Sequence, residues 1–94
     1  MRPPIAAELL LFARVLMRLP RRLRGAAARS ILSEVDVAAR YLVQTGRRHP
    51  MFGDGSLIAR CHALQPAAEP MADDPDFLRA LRTVATAMLR HSEM

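Results

Sequence analysis

Five side chains near the middle of the chain are of types that carry chemistry: His49, Asp54, Ser56, Cys61 and His62. Cys61 and His62 are the soft metal-ligand types, with His49 not far away. Neighbouring positions on a helix point about 100° apart, however, so Cys61 and His62 do not easily share one ion, and no paired Cys or second His at i, i+4 completes a set. Ser56, His62 and Asp54 supply the residue types of a hydrolase triad, but no nucleophile-elbow pattern surrounds the serine. The loop Gly53-Asp54-Gly55-Ser56 leads into a helix start, where free amides and the dipole favour an anion. It lacks the length and Lys of a P-loop, the spacing of a dinucleotide fingerprint and the ligand count of a calcium loop, and Asp54 would repel a phosphate there. The reading that remains is a turn followed by an N-cap, with Cys61 as a small buried hydrophobe. No catalytic residue, metal, cofactor or small-molecule substrate is expected.

A second constellation is electrostatic. Arg21, Arg22 and Arg24, with Arg29 one turn further on, crowd the start of the second helical stretch and are candidate phosphate contacts. A DNA-reading helix would add amide or hydroxyl side chains for base edges; this one offers Ser33, Asp36 and Gln44, with an acid in the middle. The cluster therefore suits non-specific contact with nucleic acid or a solvated basic corner. All fourteen basic residues are Arg, in keeping with codon bias, so the lack of Lys says little about partners. Charge is uneven. Through Arg48 ten Arg stand against Glu8, Glu34 and Asp36, a net of +7, while from His49 onward four Arg face six acids, a net of −2.

The elements that must position these groups read as helices. Ninety-four residues suffice for one domain, and with half of them apolar but only 4% aromatic and no Trp, the core must be built from Leu, Val, Ile, Met and Ala. A helix from about Pro4 to Leu19 places Ile5, Leu9, Phe12, Leu16 and Leu19 on one side, widened by Ala6, Ala13 and Met17. Leu11 and Val15 then fall on the solvent side beside Glu8, Arg14 and Arg18, where Leu11, Val15, Arg14 and Arg18 form a candidate contact for a protein partner or a weak homodimer. Pro20 ends this helix and can open the next. Ala28, Ile31, Leu32, Val35, Ala38, Ala39 and Leu42 share a face up to Gly46, the candidate left-handed stop. Asp36 and Arg40 have the spacing of an exposed i, i+4 pair.

Pro50, Gly53 and Gly55 then interrupt any regular element, Ser56 caps a short helix, and Pro66 and Pro70 mark an extended linker. Asp74 and Pro75 make the clearest helix start in the chain, with a core stripe of Phe77, Leu78, Leu81, Val84, Ala85, Met88 and Leu89. The expectation is an all-α fold: a small single-domain bundle of three main helices plus one short helix. Its parts are a helical hairpin over about 4–46, a hinge over 46–56, a short helix over about 57–64, a Pro-rich linker over 65–73 and a C-terminal helix over about 75–91. The first two helices are expected to pair antiparallel, with the last packed across them. The apolar run from Ile5 to Leu19 is too short and too charged to span a bilayer. One cysteine excludes an intramolecular disulfide and fits a cytoplasmic address.

The segments His49-Pro50, Phe52-Gly53-Asp54-Gly55-Ser56-Leu57, Glu69-Pro70 and Asp73-Asp74-Pro75 resemble those of a small alphaproteobacterial (Rhodobacterales) domain-of-unknown-function family. The resemblance covers nearly the whole chain, but the shared residues are turns and caps, and no catalytic residue carries over. The family's link to prophage-like gene-transfer-agent clusters implies an accessory role in phage-like particle assembly or its control. The functional expectation is thus a non-enzymatic helical adaptor acting through protein–protein contacts; the alternative is a nucleic-acid-associated regulator using the basic N-terminal half.

Overall fold

The computed structural model describes residues 1–93 and contains four helices: α1 (Ala6–Leu16), α2 (Arg21–Thr45), α3 (Leu57–Ala63) and α4 (Pro75–Ser92), with no strand among the described residues. The chain is all-α. At 1.5 Å per residue α2 alone runs roughly 37 Å, close to the 42 Å long axis of the molecule.

Local chemistry sets the element boundaries. After Leu16 the backbone tightens to i→i−3 bonds, Arg18 N–H to Val15 C=O and Leu19 N–H to Leu16 C=O, so α1 stops a turn short of the expected Leu19. Pro20, without an amide proton, stands just before α2. Gly46 closes α2 at φ 71°, its N–H donating to Leu42 C=O. Ser56 Oγ accepts from Ala59 N–H at the start of α3, and Asp74 Oδ1 accepts from Asp76 and Phe77 N–H at the start of α4, with Pro75 at the first helical position.

The helices do not assemble as a simple hairpin. α4 packs against both α1 and α2, α3 sits chiefly on α1, and of the helix pairs that touch, α1 and α2 do so least. Small residues explain the arrangement: Ala13 on α1, Ala28 on α2, and Ala80 and Ala87 on α4 are all buried and let α4 approach both neighbours closely. Arg24–Asp76 and Asp36–His91 both link α2 to α4, and they fall in the same order along both helices, so these helices run side by side in one direction.

α1 keeps most of its expected core side, with Phe12, Ala13 and Leu16 fully buried and Leu9 and Leu19 packed against them, and it buries a second flank as well. Leu11 and Val15, expected on the solvent side as a partner or dimer patch, are core residues at 9% and 5% exposure, while Ile5, expected inside, is 64% exposed. The reason is that α3 and the start of α4 pack along the flank carrying Leu11 and Val15, so that Leu11 shows only as the floor of a groove. Glu8 is buried too: Arg2 pairs with its Oε1, and its Oε2 has no hydrogen-bond partner. Arg14 and Arg18, expected beside that patch, hold the linker instead. Arg14 Nε donates to Ala67 C=O at 2.9 Å, Ala67 N–H returns a bond to Arg14 C=O, and Arg18 Nη1 donates to Gln65 C=O at 3.0 Å. Residues 65–73 are therefore a strap fixed along α1. On α4 the buried arc is Phe77, Ala80, Val84 and Ala87, with Leu81 and Met88 at its margin, whereas Leu78 and Leu89 face out. Asp36 pairs with the Met1 ammonium and His91 Nε2 in place of the expected Arg40.

Candidate functional site

Residues 46–56 form a built loop. His49 and Gly53 exchange two backbone hydrogen bonds, and His49 Nδ1 accepts from the N–H groups of Met51 and Phe52 at 3.0 and 3.1 Å, which puts the ring proton on Nε2. The imidazole stacks on Phe52 and meets Tyr41 edge-on. Pro50 lies exposed at the turn. Arg60 lies over the Phe52 ring and donates to Glu34 Oε1 on α2. Gly53 and Gly55 have φ of 85° and 88°, and Gly55 abuts α2 so closely that a Cβ would lie 2.6 Å from Ala39 Cα.

The residues of chemical type are thus occupied one by one. Ser56 Oγ donates to Asp54 Oδ1 at 2.6 Å while capping α3. The Ser56 hydroxyl and N–H hold the Asp54 carboxyl below the usual carboxylate range. Cys61 is fully buried, and burial, seconded by the nearby Glu8 carboxylate, pushes its thiol up to about 12. His62 stands apart, exposed on another surface. Among the described residues no three His, Cys, Asp or Glu side chains gather into a metal set.

Two of the concave surfaces have linings suited to a partner. The first is an apolar groove of about 440 Å³ between α1, α3 and the strap. Leu10 and Ile58 form its exposed walls at 46% and 38% exposure, and Leu11 and Phe77 its floor. Arg14, His62 and Glu69 supply its polar points.

The second is a cleft of about 200 Å³ between α2 and α4, where Arg29 faces Arg82 and Arg90 across a floor of Gly25 and Ala87. Thr83 and Thr86 complete it, and no carboxylate lines it. None of the three guanidinium groups has a hydrogen bond or ion pair among the described residues, so their charge is uncompensated where they meet. Arg24, expected to join Arg21, Arg22 and Arg29 as a phosphate contact, is withdrawn from this surface. It is 5% exposed and its guanidinium is committed to Asp76, Leu19 C=O and Met17 C=O. Burial at the junction of α1, α2 and α4 is what demands those partners. Arg21 and Arg22 remain exposed at the head of α2. Arg82 and Arg90 are not among the candidates that the sequence suggests; the available signal is an acid-free row at i, i+4, i+8, Arg82-Thr86-Arg90.

No helix among the described residues is long and apolar enough to cross a membrane. Residues 2–88 match the family model described as Domain of unknown function (DUF7742), and the chain belongs to that family. No curated protein matches it, and no solved structure does.

Proposed function

We propose that this member of the family is a non-enzymatic helical adaptor that works through protein–protein contacts, with an amphipathic segment of its partner seated in the groove between α1, α3 and the strap. The observation that carries this reading is the exposure of Leu10 and Ile58 on facing walls of a groove with an apolar floor. Apolar walls with a few fixed polar groups are the makeup of surfaces that take an amphipathic helix, the apolar side chains supplying affinity and the polar ones register. Arg14 and Glu69 offer one charge of each sign for that purpose. Binding rather than turnover is also favoured by the employment of Ser56, Asp54 and His49 in caps and turns, and of Cys61 in the core.

Within this proposal the partner is a component of a phage-like particle, and the role lies in assembly or its control, in a gene-transfer-agent setting of the kind implied by the alphaproteobacterial resemblance. The address is the cytoplasm, in keeping with a lone free thiol. Co-expression with the products of the genes flanking its own, followed by size-exclusion chromatography, tests the reading. Co-elution with one of them, abolished by Leu10→Glu with Ile58→Glu while the helical spectrum is kept, is the expected result. If no neighbouring product co-elutes, or the double variant still does, the reading fails.

A further inference from the structure

On a different face, the cleft between α2 and α4 has the makeup of a phosphate grip. Three guanidinium groups converge on it from two rigid helices, and among the described residues none of their donors has a partner and no acid lines the cleft. Guanidinium is the side chain best matched to phosphate oxygens, through paired and charge-assisted bonds. Thr86 adds a hydroxyl that has no partner among the described residues, whereas the Thr83 hydroxyl already donates to Arg79 C=O. Gly25 keeps the floor low: a Cβ there would meet Arg29 Nη1 at 3.6 Å. At about 200 Å³ the cleft falls below the roughly 300–1,000 Å³ of sites that enclose a drug-sized ligand, so it takes a phosphate that projects from something larger.

We propose that this cleft binds the sugar–phosphate backbone of duplex nucleic acid, without reading its sequence. The basic surface continues beyond the cleft. Arg21 and Arg79 are near enough to act on the Asp76 carboxylate at the head of the same helix pair, and that carboxylate is already neutralised by Arg24. At the other end, Asp36 is engaged by the Met1 ammonium and the His91 imidazole, and Glu93 is the other acid there. A row of charge along a groove between parallel helices fits a ridge of phosphates, which a duplex presents and a flat headgroup layer does not. The cleft holds no aromatic ring on which an unpaired base could stack and no amide side chain for a base edge. Contacts to phosphate alone position a protein on a duplex but carry no sequence information.

Fluorescence anisotropy with a labelled DNA duplex, measured between about 50 and 200 mM salt, tests this. Three phosphates neutralised give a slope of log K on log salt of about −2.7, so affinity should fall roughly 40-fold across that range. Arg82→Ala with Arg90→Ala should flatten the slope by about 1.8, equally for unrelated sequences. Arg82→Lys with Arg90→Lys, which keeps the charge, should restore it; should the alanine pair not fold, Arg82→Gln with Arg90→Gln makes the same comparison. Arg47→Ala with Arg48→Ala removes the same charge from the exposed loop and should leave the slope in place. Equal flattening by the loop pair, or no duplex binding at the lowest salt, overturns the proposal. So does Arg82- and Arg90-dependent binding to phosphatidylserine vesicles, or to inorganic phosphate by thermal shift, in place of the duplex.

Discussion

Arg24 and Asp76 are joined by two parallel bonds, Nη1 to Oδ1 at 2.8 Å and Nη2 to Oδ2 at 3.0 Å, which tie the head of α2 to the head of α4. The remaining Arg24 donors reach Leu19 and Met17 C=O, so one guanidinium also pins the turn out of α1. Those hydrogen bonds hold the Asp76 carboxyl below its ordinary value of 3.8. A carboxyl depressed in the folded state contributes stability that is present above the unfolded value and is lost as pH falls through the folded one. Thermal melts from neutral pH down through about pH 3 should therefore show acid weakening that is shallower in Asp76→Asn. Asp76→Asn should also melt lower at neutral pH, because it leaves Arg24 short of a counter-charge. Parallel acid profiles for the two proteins would show that the pair carries no linkage.

The glycines of the loop differ in what surrounds them, and their alanine variants should differ accordingly. Gly46→Ala meets nothing within 4 Å and incurs only the left-handed backbone cost, about 1–2 kcal/mol. Gly55→Ala has a similar φ but drives its Cβ into the α2 backbone at Ala39, which adds roughly 1–3 kcal/mol of overpacking. Urea denaturation should rank Gly55→Ala clearly below Gly46→Ala. Equal losses would mean that the loop is not seated on Ala39.

Glu8 and Arg2 make an unequal pair, since Glu8 is 2% exposed and one of its oxygens is unpartnered. Arg2→Ala strands a buried charge and should cost about 3 kcal/mol. Glu8→Met removes the demand altogether and should be neutral or stabilising by about 1 kcal/mol, even when combined with Arg2→Ala. A double-mutant cycle by chemical denaturation reads the coupling; additive losses would place Glu8 outside the core.

Cys61 should be inert in the folded protein. With no exposure and a thiol pushed up to about 12, it should react with a disulfide reagent near neutral pH only through opening of the fold. The labelling rate should then rise with denaturant in step with unfolding, and rapid labelling under native conditions would contradict its placement.

Core phase is the sharpest contrast between sequence and structure. Leu16→Ala, at a fully buried site on α1, should cost about 2–5 kcal/mol. Leu89→Ala, at a side chain 63% exposed on α4, should stay within about 0.5 kcal/mol. Denaturant midpoints decide between them, and a large loss at Leu89 would restore the phase that periodicity suggested.

The four helices were legible because their signals are local: a glycine at 46 that tolerates positive φ, an Asp74-Pro75 start, and breaks at Pro20 and Pro66. The faces were less so. A stripe weighted by large side chains put Leu89 inside α4 and Leu11 outside α1, whereas the buried arc of α4 follows Ala80 and Ala87, whose small size allows close helix approach, and that of α1 widens past Ala13 to take in Leu11 and Val15. Contacts between residues far apart in sequence leave no periodic trace. That is why the straps from Arg14 to Ala67 and from Arg18 to Gln65, the burial of Arg24, and the meeting of Arg29 with Arg82 and Arg90 emerge only in three dimensions.

Asp36 receives the ammonium of Met1 on one oxygen and the imidazole of His91 on the other. Residues ninety positions apart thus meet at a single carboxylate in the middle of α2, one clip for two segments. Removing that carboxylate should release both together, so Asp36 sets a shared local stability for the residues before α1 and for the last turn of α4.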